Sequence, residues 1–116
     1  MPEEQGKKYD DGKRQWSLLP WEEVGQIVDV LMVGMKKYSA DNWKRVPDAK
    51  RRYFDAAMRH LTAWKNGERC DNEDGLSHLS HLGCCVLFLA WFDNQELVSS
   101  KLDEEMNQAL SATRKS

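Results

Sequence analysis

The sequence predicts an all-α protein, a compact four-helix bundle-like domain behind a polar amino-terminal arm, and three observations carry that prediction. Apolar residues recur at three- and four-residue spacing through separate stretches of the chain. No segment alternates apolar and polar side chains as a half-buried strand would. The connections between the periodic stretches are short, which favours antiparallel neighbours. A chain of 116 residues makes one domain, able to bury about two thirds of its unfolded surface. The expected division is an arm over residues 1–15 and a single helical domain over residues 16–116.

The arm is polar and gathers Lys7, Lys8, Lys13 and Arg14 around Gly12, a composition suited to an anion. A first helix is expected from about Pro20 to Tyr38. Proline suits an opening turn, and Glu22 and Glu23 sit where carboxylates favour the positive end of the helix dipole. Val24, Ile27, Val28, Leu31 and Met35 form its apolar stripe. Glu23 falls on the border of that stripe, on the flank of Gly34 and Tyr38, where a carboxylate can face a cleft. Residues 39–49 read as a loop carrying Asn42-Trp43-Lys44-Arg45 and broken by Pro47. A second helix is expected from about Arg51 to Asn66, stopped by Gly67. On it Tyr53, Ala57, His60 and Trp64 share a face, and Asp55 and Arg59 are spaced to pair.

The connection Glu68-Arg69-Cys70-Asp71-Asn72-Glu73-Asp74-Gly75 is acidic, and Asn72 or Asp74 is the expected cap of the next helix. That third helix, about Leu76 to Phe92, is apolar nearly all round beyond His81 and should be central and most buried. A weaker last helix is read from Val98, Leu102, Met106 and Leu110, fraying over Thr113-Arg114-Lys115-Ser116.

Composition narrows the function. Hydrophobic residues at 41% and charged residues at 31% fit a folded globule. With 17 basic and 19 acidic side chains the net charge is -2, so nothing draws the whole chain to nucleic acid or an anionic membrane. Phosphate affinity has to come from a local cluster. Cys70, Cys84 and Cys85 are odd in number and two are adjacent, which argues for reduced thiols over a disulfide framework. The absence of a long apolar run and of a signal-peptide core places the expected site of action in the cytoplasm. Neither a G-x-x-x-x-G-K phosphate loop, a dinucleotide glycine fingerprint nor a G-x-S-x-G turn occurs.

Four groups carry candidate chemistry. Glu68-x-x-Asp71, followed by Glu73 and Asp74, offers the carboxylate oxygens that hard divalent cations prefer; acids before a helix also serve as ordinary caps. Lys13, Arg14, Lys36, Lys37 and Arg59 are the cations available to phosphate, although lysines also simply close helices. His78, His81 and Cys85 share one face of the third helix at a spacing zinc accepts, but a fourth ligand is not evident. Orienting a carboxylate ligand or contacting substrate suits these histidines better. Trp43 offers a stacking face beside the Asn42 amide, or packs against the bundle.

Together these residues carry a resemblance. Lys13, Leu18-Leu19-Pro20, Gly34-x-x-Lys37-Tyr38 and Asn42-Trp43 come first in order. Tyr53-x-x-Ala56-Ala57-x-Arg59-His60-Leu61, Trp64, Gly67-Glu68-x-x-Asp71 and Gly75-x-x-His78-Leu79-x-His81 come after them. This order resembles the phage dATP/dGTP diphosphohydrolases (MazZ-like), relatives of the all-α MazG-type pyrophosphohydrolases, over about Lys8 to Leu89. The resemblance implies a small helical enzyme of phage nucleotide metabolism that converts dGTP and/or dATP to the monophosphate and pyrophosphate. It further implies a Mg2+ or Mn2+ cofactor and a homo-oligomer, dimer or tetramer, in the host cytoplasm. One departure stands out: MazG-type proteins hold metal with E-x-x-E on one helix and E-x-x-D on the next, and here the first helix offers only Glu23-x-x-Gln26.

On that reading Glu23, Glu68 and Asp71 bind metal, with Glu73 or Asp74 as a further ligand or base. Lys13, Lys37 and Arg59 neutralise phosphate, Asn42 and Trp43 hold the base, and His60, His78 and His81 order the site or contact substrate. Two rival functions are a nucleotide-binding regulatory module without turnover and a non-catalytic helical interaction protein.

Overall fold

The computed structural model describes residues 5–114, so Met1–Glu4 of the expected arm and the Lys115-Ser116 end of the expected fraying lie outside the described residues. The described chain is all-α, with three helices where four were expected: α1 (Trp21–Lys37), α2 (Ala49–Lys65) and α3 (His78–Arg114). Single 3-10 turns at Trp16–Leu18 and Asn42–Arg45 precede α1 and α2. The only pairing of extended backbone among the described residues is an isolated bridge between Cys70 and Ser77.

The expected third and last helices are one. Between Phe92 and Leu97 stand Asp93, Asn94, Gln95 and Glu96, a polar run without glycine or proline, so nothing forces the hydrogen-bond ladder to stop. The 37 residues of α3 therefore extend about 55 Å, against about 25 Å for α1 or α2. That mismatch corrects the expectation of a compact bundle. The radius of gyration is 21.3 Å, where a compact chain of this length would have about 13 Å.

α3 packs against both α1 and α2 and is central in that sense. Its crossing with α1 depends on a missing side chain: a Cβ on Gly83 would lie 2.6 Å from Ile27 Cδ1. The neighbouring Cys84 thiol approaches the Ile27 carbonyl at 3.6 Å. Ala57 of α2 and Cys84 and Cys85 of α3 are buried, whereas Val86 and Leu87 stay about half exposed because no described element covers that side. The N-terminus of α2 is tied to the middle of α3 by Lys50, whose ammonium lies 3.1 Å from Asp93 and 3.0 Å from Glu96. None of the described helices is long and apolar enough to cross a membrane.

Candidate functional site

The site begins where α2 stops. Gly67 adopts φ +95°, a left-handed conformation that costs glycine nothing. Its N–H donates to the Trp64 carbonyl at 3.0 Å, and the Glu68 N–H donates to the Ala63 carbonyl at 2.9 Å. This pair of bonds is the Schellman ending that the glycine predicted, and it turns the chain so that Glu68 leads into the acidic loop. The loop is then pinned three ways. Asp71 N–H donates to the Leu76 carbonyl, Gly75 N–H to the Asp71 carbonyl (both 2.8 Å), and His78 N–H to the Arg69 carbonyl at 2.9 Å. The cap of α3 is neither Asn72 nor Asp74 but Ser77, whose hydroxyl accepts from the Leu79 N–H at 3.1 Å. Asparagine, aspartate and serine cap about equally well, so residue type did not choose among them; Ser77 caps because it stands just before the first helical residue.

The two aspartates make tight turns instead. Asp71 Oδ1 accepts from the Glu73 N–H at 2.7 Å, and Asp74 Oδ1 from the Leu76 N–H at 2.9 Å. Each therefore has its other oxygen left to turn inward, and each meets a histidine. Asp71 Oδ2 lies 4.0 Å from His60 Nδ1, and Asp74 Oδ2 lies 2.9 Å from His81 Nε2. Glu68 Oε1 completes the set, 3.4 Å from His78 Nε2. Three carboxylates of one loop thus face three imidazoles of two helices.

The imidazoles also meet one another. His60 and His81 are stacked, 4.5 Å between centroids and nearly parallel, and His60 Nδ1 lies 2.9 Å from His78 Nδ1. His78 is buried at 5% exposure. The carboxylates near the Nε2 atoms of His78 and His81 are close but poorly aligned, leaving both buried nitrogens without a proper hydrogen bond among the described residues. Burial and the neighbouring His81 and His78 rings push the His60 pKa down, with the Asp71 carboxylate pulling the other way. His60 is thereby favoured in its neutral form, with a lone pair to offer. Burial works to raise the Asp74 carboxyl, but the Leu76 N–H and His81 outweigh it and hold the group below its usual value. His60, Asp71 and His78 each present one ligand atom within 4.8 Å of the others, a group able to hold a metal ion.

Beside this cluster opens a cleft of about 830 Å³ between the C-terminal half of α1, the Asn42–Arg45 turn, α2 and α3. Lys37, Arg59, Asp74 and His81 all border it. Arg59 was spaced to pair with Asp55, but Asp55 is engaged by Arg51 at 3.5 Å. Among the described residues neither Lys37 nor Arg59 forms an ion pair, so both cations remain available to an anion. Trp43 also borders the cleft, and one of its faces is stacked on Phe88 at 4.3 Å with Trp91 edge-on at 5.1 Å. The Tyr53 hydroxyl donates to its carbonyl at 3.2 Å. The three cysteines are free, and burial raises Cys85 and pushes Cys84 up to about 12, so both helix thiols stay protonated.

A protein-family model described as dATP/dGTP diphosphohydrolase, N-terminal, matches residues 3–102. The chain belongs to that family. It is 31% identical over 94 residues to a protein of Salmonella phage PMBT28 named dATP/dGTP diphosphohydrolase. That alignment covers 81% of this chain and 32% of the relative, so the chain spans about a third of the relative's length. No solved structure matches significantly.

Within this family member the anticipated site residues fall into three groups. Glu68, Asp71, Asp74, His60, His78 and His81 converge at the junction of α2, the loop and α3. Lys37, Asn42, Trp43, Arg59 and Glu73 line the adjoining cleft. Lys13 and Glu23 belong to neither. Lys13 lies in an exposed turn closed by its N–H to the Asp10 carbonyl. Glu23 lies on the flank of Gly34 and Tyr38, which do line the cleft, but 11 residues and about 16 Å of helix away from Gly34. Sequence reading passed over Arg45, Arg51 and Arg52, which also line the cleft. The Arg51-Arg52 doublet at the positive end of α2, where cations are disfavoured, was the available signal.

Proposed function

We propose that this chain takes part in the metal-dependent hydrolysis of purine deoxynucleoside triphosphates, dGTP and/or dATP, to the monophosphate and pyrophosphate. The observation that carries the proposal is the adjacency of two unpaired cations, Lys37 and Arg59, to the cluster of carboxylates and imidazoles, across one cleft. Membership of the dATP/dGTP diphosphohydrolase family supports the substrate class. In this reading Lys37 and Arg59 take the phosphate oxygens, since a guanidinium supplies two donors at once. Asn42 and Trp43 hold the base. Water attacks the α-phosphorus, the bond to the bridging oxygen breaks, pyrophosphate leaves, and Glu73 takes the proton of the water.

Magnesium or manganese is what the resemblance implies; the residues that come together to hold a divalent ion are Asp71, His60 and His78, with Glu68 and Asp74 beside them. Bound there, such an ion would supply positive charge against the triphosphate and Lewis acidity for the water. Glu23 has no part in the proposed centre. Incubating the chain with each triphosphate plus manganese, and resolving products by anion exchange, tests the reading. Monophosphate with pyrophosphate upholds it; diphosphate with inorganic phosphate rejects it.

A second reading is favoured by the alignment, which covers 32% of the phage relative. Here the chain is a nucleotide-binding module whose turnover needs more than these residues. Bound dGTP without released pyrophosphate would select it. If instead Glu68→Gln left nucleotide affinity unchanged, the polar cluster would be surface decoration of a helical interaction protein.

We also propose that the chain works as a homo-oligomer, dimer or tetramer. Phe54 at 56%, Trp64 at 46% and Leu102 at 55% exposure are among many large apolar side chains left open to solvent, an amount uncommon on a stable monomer. Light scattering coupled to gel filtration measures the state.

A further inference from the structure

We propose that His60 and His78 ligate an ion through their Nδ1 atoms, with Asp71 as an oxygen ligand, so that this centre selects a first-row transition ion of the iron-to-zinc class over magnesium. The inference deepens the proposed function by naming the class of ion, and rests on the same site.

Four features converge on it. The three ligand atoms come from three separate segments, α2, the loop and α3, yet all lie within 4.8 Å of one another. The two Nδ1 atoms face each other at 2.9 Å; two ligands each about 2.1 Å from one ion stand about 3.0 Å apart at an octahedral right angle and about 3.4 Å apart at a tetrahedral angle. Asp71 is committed through Oδ1 to the Glu73 N–H, which aims Oδ2 at His60. Finally, Glu68 Oε1 lies 3.4 Å from the far nitrogen of His78, which has no other partner among the described residues, so a small turn of the carboxylate would give the support that orients a ligating imidazole. His78 is 5% exposed and the His60 and Asp71 side chains are only partly exposed, so the ligand atoms meet largely sheltered from water.

The donor chemistry then decides the ion. Magnesium takes oxygen ligands in near-ideal octahedral geometry and keeps several waters. Two imidazoles and one carboxylate suit iron, cobalt, nickel or zinc instead. The competing account of the same geometry is a lone imidazole–imidazole hydrogen bond, which binds nothing.

Cobalt(II) is the probe, because its visible absorption changes on leaving an all-water shell. Titrating the full chain with cobalt, without nucleotide, should give a saturable new absorption that zinc abolishes and a tenfold excess of magnesium does not. His60→Ala should remove it, and Glu68→Gln should weaken cobalt binding by at least about tenfold, with circular dichroism reporting that each variant is helical. Should a variant fail to fold, long-range 1H–15N spectra of the native chain decide. Zinc should shift the Nδ1 resonances of His60 and His78 and leave those of His81 near their starting positions. A cobalt spectrum like that of the free ion, displacement by equal magnesium, or unmoved His60 and His78 nitrogens each overturns the proposal. The hydrolysis reading fails separately: cobalt bound at these residues with no pyrophosphate formed sinks that reading and leaves this one standing.

Discussion

Residues 78–92 and 93–114 of α3 are one helix in two unlike situations. The first half packs on α1 and α2, caps its start on Ser77, and brings His78 and His81 to a loop that meets them with carboxylates. In the second half every residue from Asp93 to Thr113 is exposed, and its ion pairs among the described residues are those of Asp93 and Glu96 with Lys50. The contrast teaches that apolar periodicity reports where a helix forms, not whether anything covers it. In the near half, the geometry depends on single residues at fixed places. In the far half no single side chain of this chain's own fold has much to lose.

The largest expected effect lies on the near side. Arg59 is exposed, unpaired and on the cleft, so Arg59→Ala should leave the helical signal and melting temperature close to the parent's. If it neutralises developing charge on the phosphates, kcat/KM for the triphosphate should fall about 100-fold. An unchanged rate constant would remove Arg59 from the proposed machinery and blur the distinction between the two halves.

Next comes the crossing of α1 and α3. Gly83→Leu places a side chain where Ile27 already stands, with a Cβ distance of 2.6 Å. Overpacking of this kind costs about 1–3 kcal/mol, measurable by urea unfolding. The smaller change Gly83→Ala should be nearly neutral. Ile27 can shift the end of its flexible side chain, and alanine is the better helix former by about 1 kcal/mol. Equal effects of the two substitutions would mean that the close approach does not hold the helices together.

Gly67→Ala should cost about 1–2 kcal/mol, because a side chain would occupy a left-handed conformation at φ +95°. Its sharper consequence is local. Glu68 is the next residue, so a distorted ending should displace the carboxylate facing His78 and weaken metal binding along with stability. Loss of stability without any change in cobalt affinity would uncouple the ending of α2 from the site.

These residues also explain what the sequence disclosed and what it withheld. α1 and α2 were readable within two residues at each end, since amphipathic stripes, Pro20 and Gly67 act locally. The continuity of α3 was missed because Asp93-Asn94-Gln95-Glu96 interrupts the apolar rhythm, yet polarity alone does not break a helix. The acidic loop stands out in the sequence as a run of carboxylates, and in the fold Glu68, Asp71 and Asp74 each face a histidine. That histidines would orient the loop's carboxylates was expected, but which histidine meets which carboxylate was not legible, because spacing gives the face of one helix and says nothing of which faces meet. His60 on α2 and His78 on α3 lie 18 residues apart and touch at 2.9 Å. Glu23 shows the converse: helical periodicity gives its flank of α1, shared with Gly34 and Tyr38, but not that about 16 Å of helix separates it from Gly34.

The smallest expected effect tests the far half. Leu102 and Met106 are 55% and 64% exposed and lie four apart on α3, so within one chain they bury little. Replacing both with glutamine, a residue of comparable helix propensity, should change the unfolding free energy of the isolated chain by less than about 0.5 kcal/mol. Dilution separates that figure from self-association. If the far half packs on a second copy, the double variant should dissociate at concentrations where the parent remains assembled, and its stability should lose the concentration dependence that coupled assembly imposes. If instead it melts lower than the parent at every concentration, the far half is covered within its own chain, and the two halves of α3 are alike after all.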